Sequence, residues 1–157
     1  MGTDDLRIEA TSVDSAVGAP LVSAQWSELM ARYGVPDTTS DDLAADHLEP
    51  PDGGFLVAWD GGVAVGCGGV RRHDGTTGEI KRMYVAPGAR RRGISRALLR
   101  ALEDRARAIG YTRLVLETGT KQPEAIALYE SEGYARIEGY GFYRDAPQSR
   151  CYGKDLA

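Results

Sequence analysis

Cysteine, histidine and long apolar runs are scarce in this chain, and each scarcity removes a class of function. Only two cysteines occur among the 157 residues, Cys67 and Cys151. They form no CxxC pair, and neither His47 nor His73 has a ligand-spaced neighbour, so no metal site is expected. Cys67 lies in the apolar stretch VAVGCGGV and reads as a small core residue. The opening MGTDDLRIEA is acidic and lacks the apolar centre of a secretion signal. No apolar run approaches membrane-spanning length, so the expected setting is cytoplasmic, with no membrane partner. Excess positive charge is missing too. Nineteen Lys and Arg against 23 Asp and Glu leave a net charge of -4, which argues against a general nucleic-acid binder.

What is present is ordinary for a globular chain: 42% hydrophobic and 27% charged residues. The length fits one domain over residues 1–157, with no repeat or low-complexity tract. Leu6 to Ala10 alternates as a first strand, and Val17, Leu21, Val22, Trp26, Leu29 and Met30 recur at helical spacing until Gly34 and Pro36. A short helix is expected after Thr39 or Ser40, where acids follow a capping residue. Phe55–Trp59 and Val63–Val70 flank Asp60-Gly61-Gly62, a hairpin signal, and a turn at His73–Gly78 leads to a strand over Glu79–Val85.

From Gly93 a helix places Ile94, Ala97, Leu98, Ala101, Leu102, Ala106 and Ile109 on one face. Arg96, Arg100, Glu103, Asp104 and Arg107 fall on the other, and Gly110 stops the helix. Arg113–Thr118 reads as a buried strand, which makes a βαβ unit with its two strands parallel. A helix over Gln122–Glu132 and strands near Ala135–Glu138 and Cys151–Asp155 complete an α+β fold, a mixed sheet with helices on both faces. The final strand, if exposed, offers an edge for pairing across a homodimer.

The segment joining strand to helix, GARRRGIS, carries the chemistry. It is neither a Walker A loop, since no Gly-Lys-Ser/Thr follows, nor a dinucleotide fingerprint, since G-x-G-x-x-G is absent. Arg90, Arg91 and Arg92 sit at the positive end of a helix dipole, an unfavourable place for cations unless an anion offsets them. A plain basic helix start is the alternative. Exposed backbone N–H groups, a glycine and several guanidiniums together suit phosphate.

Arg90-x-x-Gly93-x-Ser95, preceded by MYVAP, resembles the acetyl-coenzyme A signature Q/R-x-x-G-x-G/A of the GNAT family, the GCN5-related N-acetyltransferases. Ser95 departs from the Gly or Ala of that pattern but is small, and its hydroxyl can donate to a phosphate. QPEAIALYESEGY resembles the family's second motif, N-x-x-A-x-x-L-Y-x-x-x-G-F/Y, through Gln122, Ala125, Leu128, Tyr129, Gly133 and Tyr134. Gln122 replaces the usual Asn and keeps its side-chain amide.

The resemblance implies the acyl-coenzyme A N-acyltransferase fold, a mostly antiparallel twisted sheet of six to seven strands. It also implies acetyl-coenzyme A as cosubstrate, without a metal. Met83, Tyr84 and Val85 would pair with the pantetheine arm. Arg90, Arg91, Arg92, Gly93, Ile94, Ser95 and Arg96 would cradle the pyrophosphate, with Gln122 among the coenzyme contacts. Tyr129 would protonate the departing thiolate. Glu79, at the opening of the strand, and Glu117, on the neighbouring parallel strand, are the two candidates for the base. Backbone N–H groups near Met83 or Val85 would polarise the thioester. The acceptor expected is a small-molecule primary amine, attacked directly in a ternary complex. A protein or peptide amine, or a non-catalytic acyl-coenzyme A binding module, are the alternatives. Trp26, Tyr33, Tyr140, Phe142 and Tyr143 are candidates to line the acceptor pocket or to serve as core and rim.

Overall fold

Turn chemistry lays out the first half of the sheet. Gly61 and Gly62, with φ of 59° and 99°, make the two-residue turn that joins β2 (Gly54–Asp60) to β3 (Val63–Asp74). Gly75, with φ of 52°, turns β3 into β4 (Thr77–Val85). A first strand, β1 (Leu6–Ala10), lies antiparallel to β2 with Leu6 opposite Asp60. The computed structural model describes residues 6–34, 48–141 and 144–156. The short helix expected after Thr39 or Ser40 lies outside the described residues, as do His47, Phe142 and Tyr143.

Among the described residues the sheet has seven strands in the order β1-β2-β3-β4-β5-β7-β6, and β4 with β5 (Arg113–Gly119) is its parallel pair. Helices cover both faces, which is why β2 is apolar along its length rather than alternating. On one face α2 (Ile94–Ile109) buries Ile94, Leu98, Leu99, Leu102 and Ala106 against Leu56, Val70, Ile80, Leu114 and Leu116. On the other face Leu21 of α1 (Gly18–Tyr33) joins Val13, Leu48, Phe55, Val57 and Cys67. Fully burying such side chains contributes roughly 1.5–3 kcal/mol each. Among the described residues, no helix is long and apolar enough to cross a membrane.

Three findings differ from expectation. Glu103, on the polar face of α2 by periodicity, is buried, because Lys154 Nζ (3.0 Å) and the Tyr134 hydroxyl (2.8 Å) both reach its carboxylate. The last strand, β7 (Ser149–Asp155), is longer than its apolar core suggests. It also sits inside the sheet, with β5 on one side and β6 (Ala135–Ile137) on the other. Residues Cys151 to Gly153 are paired on both sides, so the final strand is not the exposed edge expected.

Candidate active site

The parallel pair comes apart as it runs. Thr77 to Ile80 of β4 lie in register with Arg113 to Leu116 of β5, and the register goes no further. Strand β4 also bulges: Gly69 faces Lys81 and Cys67 faces Tyr84, so two steps along β3 match three along β4. Arg82 takes up the extra residue with φ of +63°, a left-handed conformation that is uncommon for a side chain of its size. Two carbonyls of the bulge accept from side chains. Cys67 Sγ donates to the Arg82 carbonyl at 3.2 Å, and Gln25 Nε2 donates to the Met83 carbonyl at 3.3 Å.

A cavity of about 430 Å³ opens where the strands separate. Trp26, Leu29 and Tyr33 of α1 form one wall, Lys81 to Met83 the second, and Leu116 to Gly119 the third. Tyr129, from α3 (Pro123–Ser131), closes the end. Burial raises its hydroxyl pKa above the ordinary tyrosine value, so the phenol stays protonated across neutral pH. Its ring packs edge-on against Tyr134 at 5.9 Å.

The two candidate bases part company. Glu117 lines the cavity, and its Oε2 accepts from Ser149 Oγ at 3.0 Å. Cys151 Sγ lies 3.9 Å from the same oxygen. Glu79 is 5% exposed and is absent from the cavity lining. Its Oε1 accepts from Arg71 Nε at 2.9 Å and its Oε2 from the Tyr140 hydroxyl at 3.0 Å. Tyr140 itself is held protonated by burial and by the Glu79 carboxylate beside it, and the His73 ring packs on it at 4.7 Å. Of the aromatics suggested for an acceptor pocket, Trp26 and Tyr33 reach the cavity, while Tyr140 covers Glu79 instead.

Beyond the bulge, β4 runs through Pro87–Ala89 to the start of α2. Gly93 caps that helix with φ of +80°, and no side chain caps its first-turn N–H groups. A Cβ at Gly93 would meet nothing within 4 Å, so the space beside Gly93 is open. The arginines behave differently from a free cationic cluster. Arg90 Nη2 pairs with Glu28 at 2.5 Å while its Nε donates to the Val85 carbonyl at 2.8 Å. Arg92 pairs with Asp60 at 2.7 Å and Arg96 with Glu132 at 2.5 Å. Acidic side chains of the protein therefore offset most of the charge that seemed to call for an outside anion. Arg91 is exposed, with φ of +66°, and has no ion pair among the described residues. What this loop presents openly is backbone.

The far end of α1 is tied to the β5–α3 connection. Tyr33 Oη accepts from the Lys121 N–H at 3.2 Å and donates to Gln122 Oε1 at 3.3 Å. A Cβ at Gly119 would collide with that hydroxyl. Gln122 is thus engaged inside the protein as well as lining the cavity. Gln25 and Ser149, which touch the bulge and Glu117, have no local signal in the sequence. Only tertiary contact brings them there.

A splayed parallel pair, a bulged strand beside it and an uncapped helix start at its end define the fold of the acyl-coenzyme A N-acyltransferases. Solved structures match it along almost the whole chain. A proposed acyl-CoA N-acyltransferase from Klebsiella pneumoniae superposes with a TM-score of 0.79 at 28% identity, over 97% of this chain and 98% of that one. A GNAT acetyltransferase from Elizabethkingia anophelis, solved with acetyl-CoA bound, gives 0.73 at 19% identity over 98% and 99%. An IAA acetyltransferase from Azospirillum brasilense is 46% identical over 115 residues, 73% of this chain and 75% of that protein. The model of the Acetyltransferase (GNAT) family matches residues 21–134, and the chain belongs to that family. It is an N-acetyltransferase.

Proposed function

We propose that this single-domain enzyme transfers the acetyl group of acetyl-coenzyme A to the primary amine of a small molecule, by direct attack in a ternary complex. The observation that carries the reading is the cavity at the strand splay, which brings Tyr129, Glu117 and the β4 bulge to one space. The open first-turn amides from Gly93 to Arg96 bind the coenzyme pyrophosphate, helped by the helix dipole and by Arg91. Met83, Tyr84 and Val85 lie along the pantetheine arm, and Gln122 flanks it.

In the chemical step the amine nitrogen bonds to the thioester carbon and the carbon–sulfur bond breaks. The leaving thiolate, whose acid has a pKa of about 8.5 by analogy with cysteine, takes the Tyr129 proton. The proton shed by the acetylated nitrogen passes to Glu117, the carboxylate that faces the cavity. Glu79, engaged by Arg71 and Tyr140 and outside the cavity lining, takes no part in the proton transfer. An acyl-cysteine route is disfavoured, because both thiols are buried and burial raises their pKa values, Cys67 to about 12. A cavity walled by Trp26, Leu29 and Tyr33 suits a compact amine with an apolar body. The relative named as an IAA acetyltransferase supports a small-molecule acceptor.

The test is thiol release from acetyl-coenzyme A across a panel of small amines, run on the native enzyme and on Tyr129→Phe. The variant should lose about 10²-fold or more in kcat while still binding the coenzyme. Full turnover by Tyr129→Phe would remove the tyrosine from the mechanism.

A further inference from the structure

Two successive carbonyls of the β4 bulge accept hydrogen bonds from side chains of different elements. Cys67, on β3, is wholly buried and lies opposite Tyr84 in the register, one step past the bulge. Its thiol donates to the Arg82 carbonyl at 3.2 Å. Burial raises the thiol pKa, so the group remains an S–H donor at any working pH. Gln25, on α1, donates from Nε2 to the next carbonyl, that of Met83, at 3.3 Å. The pairing leaves Gln25 Oε1 buried and without a hydrogen-bond partner among the described residues, so the amide is committed to the bulge at some cost.

A trans peptide sets its C=O and N–H on opposite sides. Fixing the Arg82 carbonyl on Cys67 therefore fixes the Met83 N–H away from β3. That is the side from which β5 has separated, since the β4–β5 register stops at Ile80. Met83 lines the cavity there. The left-handed backbone at Arg82 is strained, and loss of these two anchors would let it relax toward an ordinary conformation.

We propose that Cys67 and Gln25 are positioning residues for acetyl transfer: they grip the two carbonyls of the β4 bulge and thereby aim the Met83 N–H at the thioester carbonyl. This rests on the acetyl-coenzyme A reading above. Cys67 lies outside the cavity lining, and Gln25, on the cavity wall, acts through the Met83 carbonyl. The thiol serves as a hydrogen-bond donor, not as a nucleophile, and the amide joins α1 to the strand that carries the donor.

The experiment compares Cys67→Val and Cys67→Ala, which remove the donor, with Cys67→Ser, which keeps one as an O–H. The first two should lower kcat about tenfold with a much smaller change in acetyl-coenzyme A affinity, since a misaimed oxyanion donor acts mainly on the transition state. Cys67→Ser should recover most of that loss. Gln25→Leu should lower kcat by about threefold to tenfold, and combining it with Cys67→Val should give less than the product of the single effects, because both act on one bulge. Native kcat in both Cys67→Val and Cys67→Ala overturns the proposal. Should those two variants fail to fold, infrared difference spectra of native enzyme minus Cys67→Ser isolate the Cys67 S–H stretch. A band shifted as in a bonded thiol supports the grip, and a free-thiol band overturns it. Calorimetry of the native enzyme with acetyl-coenzyme A separates the two levels. No binding there refutes the donor reading itself, whereas binding with unaffected Cys67 variants refutes only the positioning role.

Discussion

The two ends of the cavity are built from different materials. Toward α2 the site is mostly backbone: a bulge at Arg82, a left-handed glycine at Gly93 and the first-turn amides that follow. Toward α1 it is mostly side chain: Trp26, Leu29 and Tyr33 from one helix, Glu117 from β5 and Ser149 from β7. Backbone sites recognise what every donor of one kind shares, because amides are present whatever the side chains. Side-chain sites can be changed one residue at a time. A single scaffold can therefore keep its donor and vary its acceptor, and the two halves should fail separately when altered.

The largest separation should come from the carboxylates. Glu117→Gln is expected to lower kcat about 10²-fold and to change the acid limb of the pH–rate profile. Glu79→Gln should act less on kcat and more on thermal stability, since it breaks a buried contact with Arg71 and Tyr140. A pH–rate profile altered by Glu79→Gln alone would reverse the assignment of the base.

Next in size is Gly93→Val. A β-branched residue in the left-handed region costs about 1–2 kcal/mol and crowds the open amides. We expect the KM for acetyl-coenzyme A to rise roughly tenfold while the KM for the amine stays put. Steady-state kinetics with each substrate varied in turn reads both values, and a shift confined to the amine would break the division drawn here. Trp26→Ala is the mirror experiment. It should raise the KM of the amine roughly fivefold, within the range of one aromatic contact, and leave the donor's KM alone.

The smallest effect lies outside the cavity. Arg100 and Arg96 hydrogen-bond Glu132 and, with their charge, hold its pKa at about 2, below the ordinary 4.5. Because the folded value is the lower one, this stabilisation is complete above about pH 4.5 and fades as the pH falls toward 2. Glu132→Gln should lower Tm by about 2–4 °C at pH 7, and the difference should vanish near pH 2. A constant Tm difference over that interval would contradict the pairing.

How far these features could be read without coordinates follows the same division. The hairpin at Gly61-Gly62, the α2 start at Gly93 and the βαβ segment were legible because each is written in neighbouring residues. The loop's meaning was legible only in part. Arg90, Arg92 and Arg96 looked like an anion receptor, yet Glu28, Asp60 and Glu132, remote in sequence, already answer them. Glu103 misled for a related reason. Periodicity sorts residues by polarity, and a buried carboxylate is satisfied by partners that periodicity cannot see, here Tyr134 and Lys154. The roles of Gln25 and Ser149 were invisible because each depends on which strand or helix lies alongside, a fact of topology rather than of pattern.

That topology carries a consequence for how the molecule is made. Strand β7 follows β6 in the chain but lies between β6 and β5 in the sheet. Until Ser149–Asp155 has been synthesised, the outer edge of β5 is bare and β6 has no strand to rest on. Ser149 is also the residue that bonds Glu117. A nascent chain that already holds every motif residue from Glu79 to Tyr134 is therefore still an open sheet in which Glu117 lacks its bond from Ser149. The sheet is closed, and Glu117 gains its Ser149 bond, only with this last strand in place.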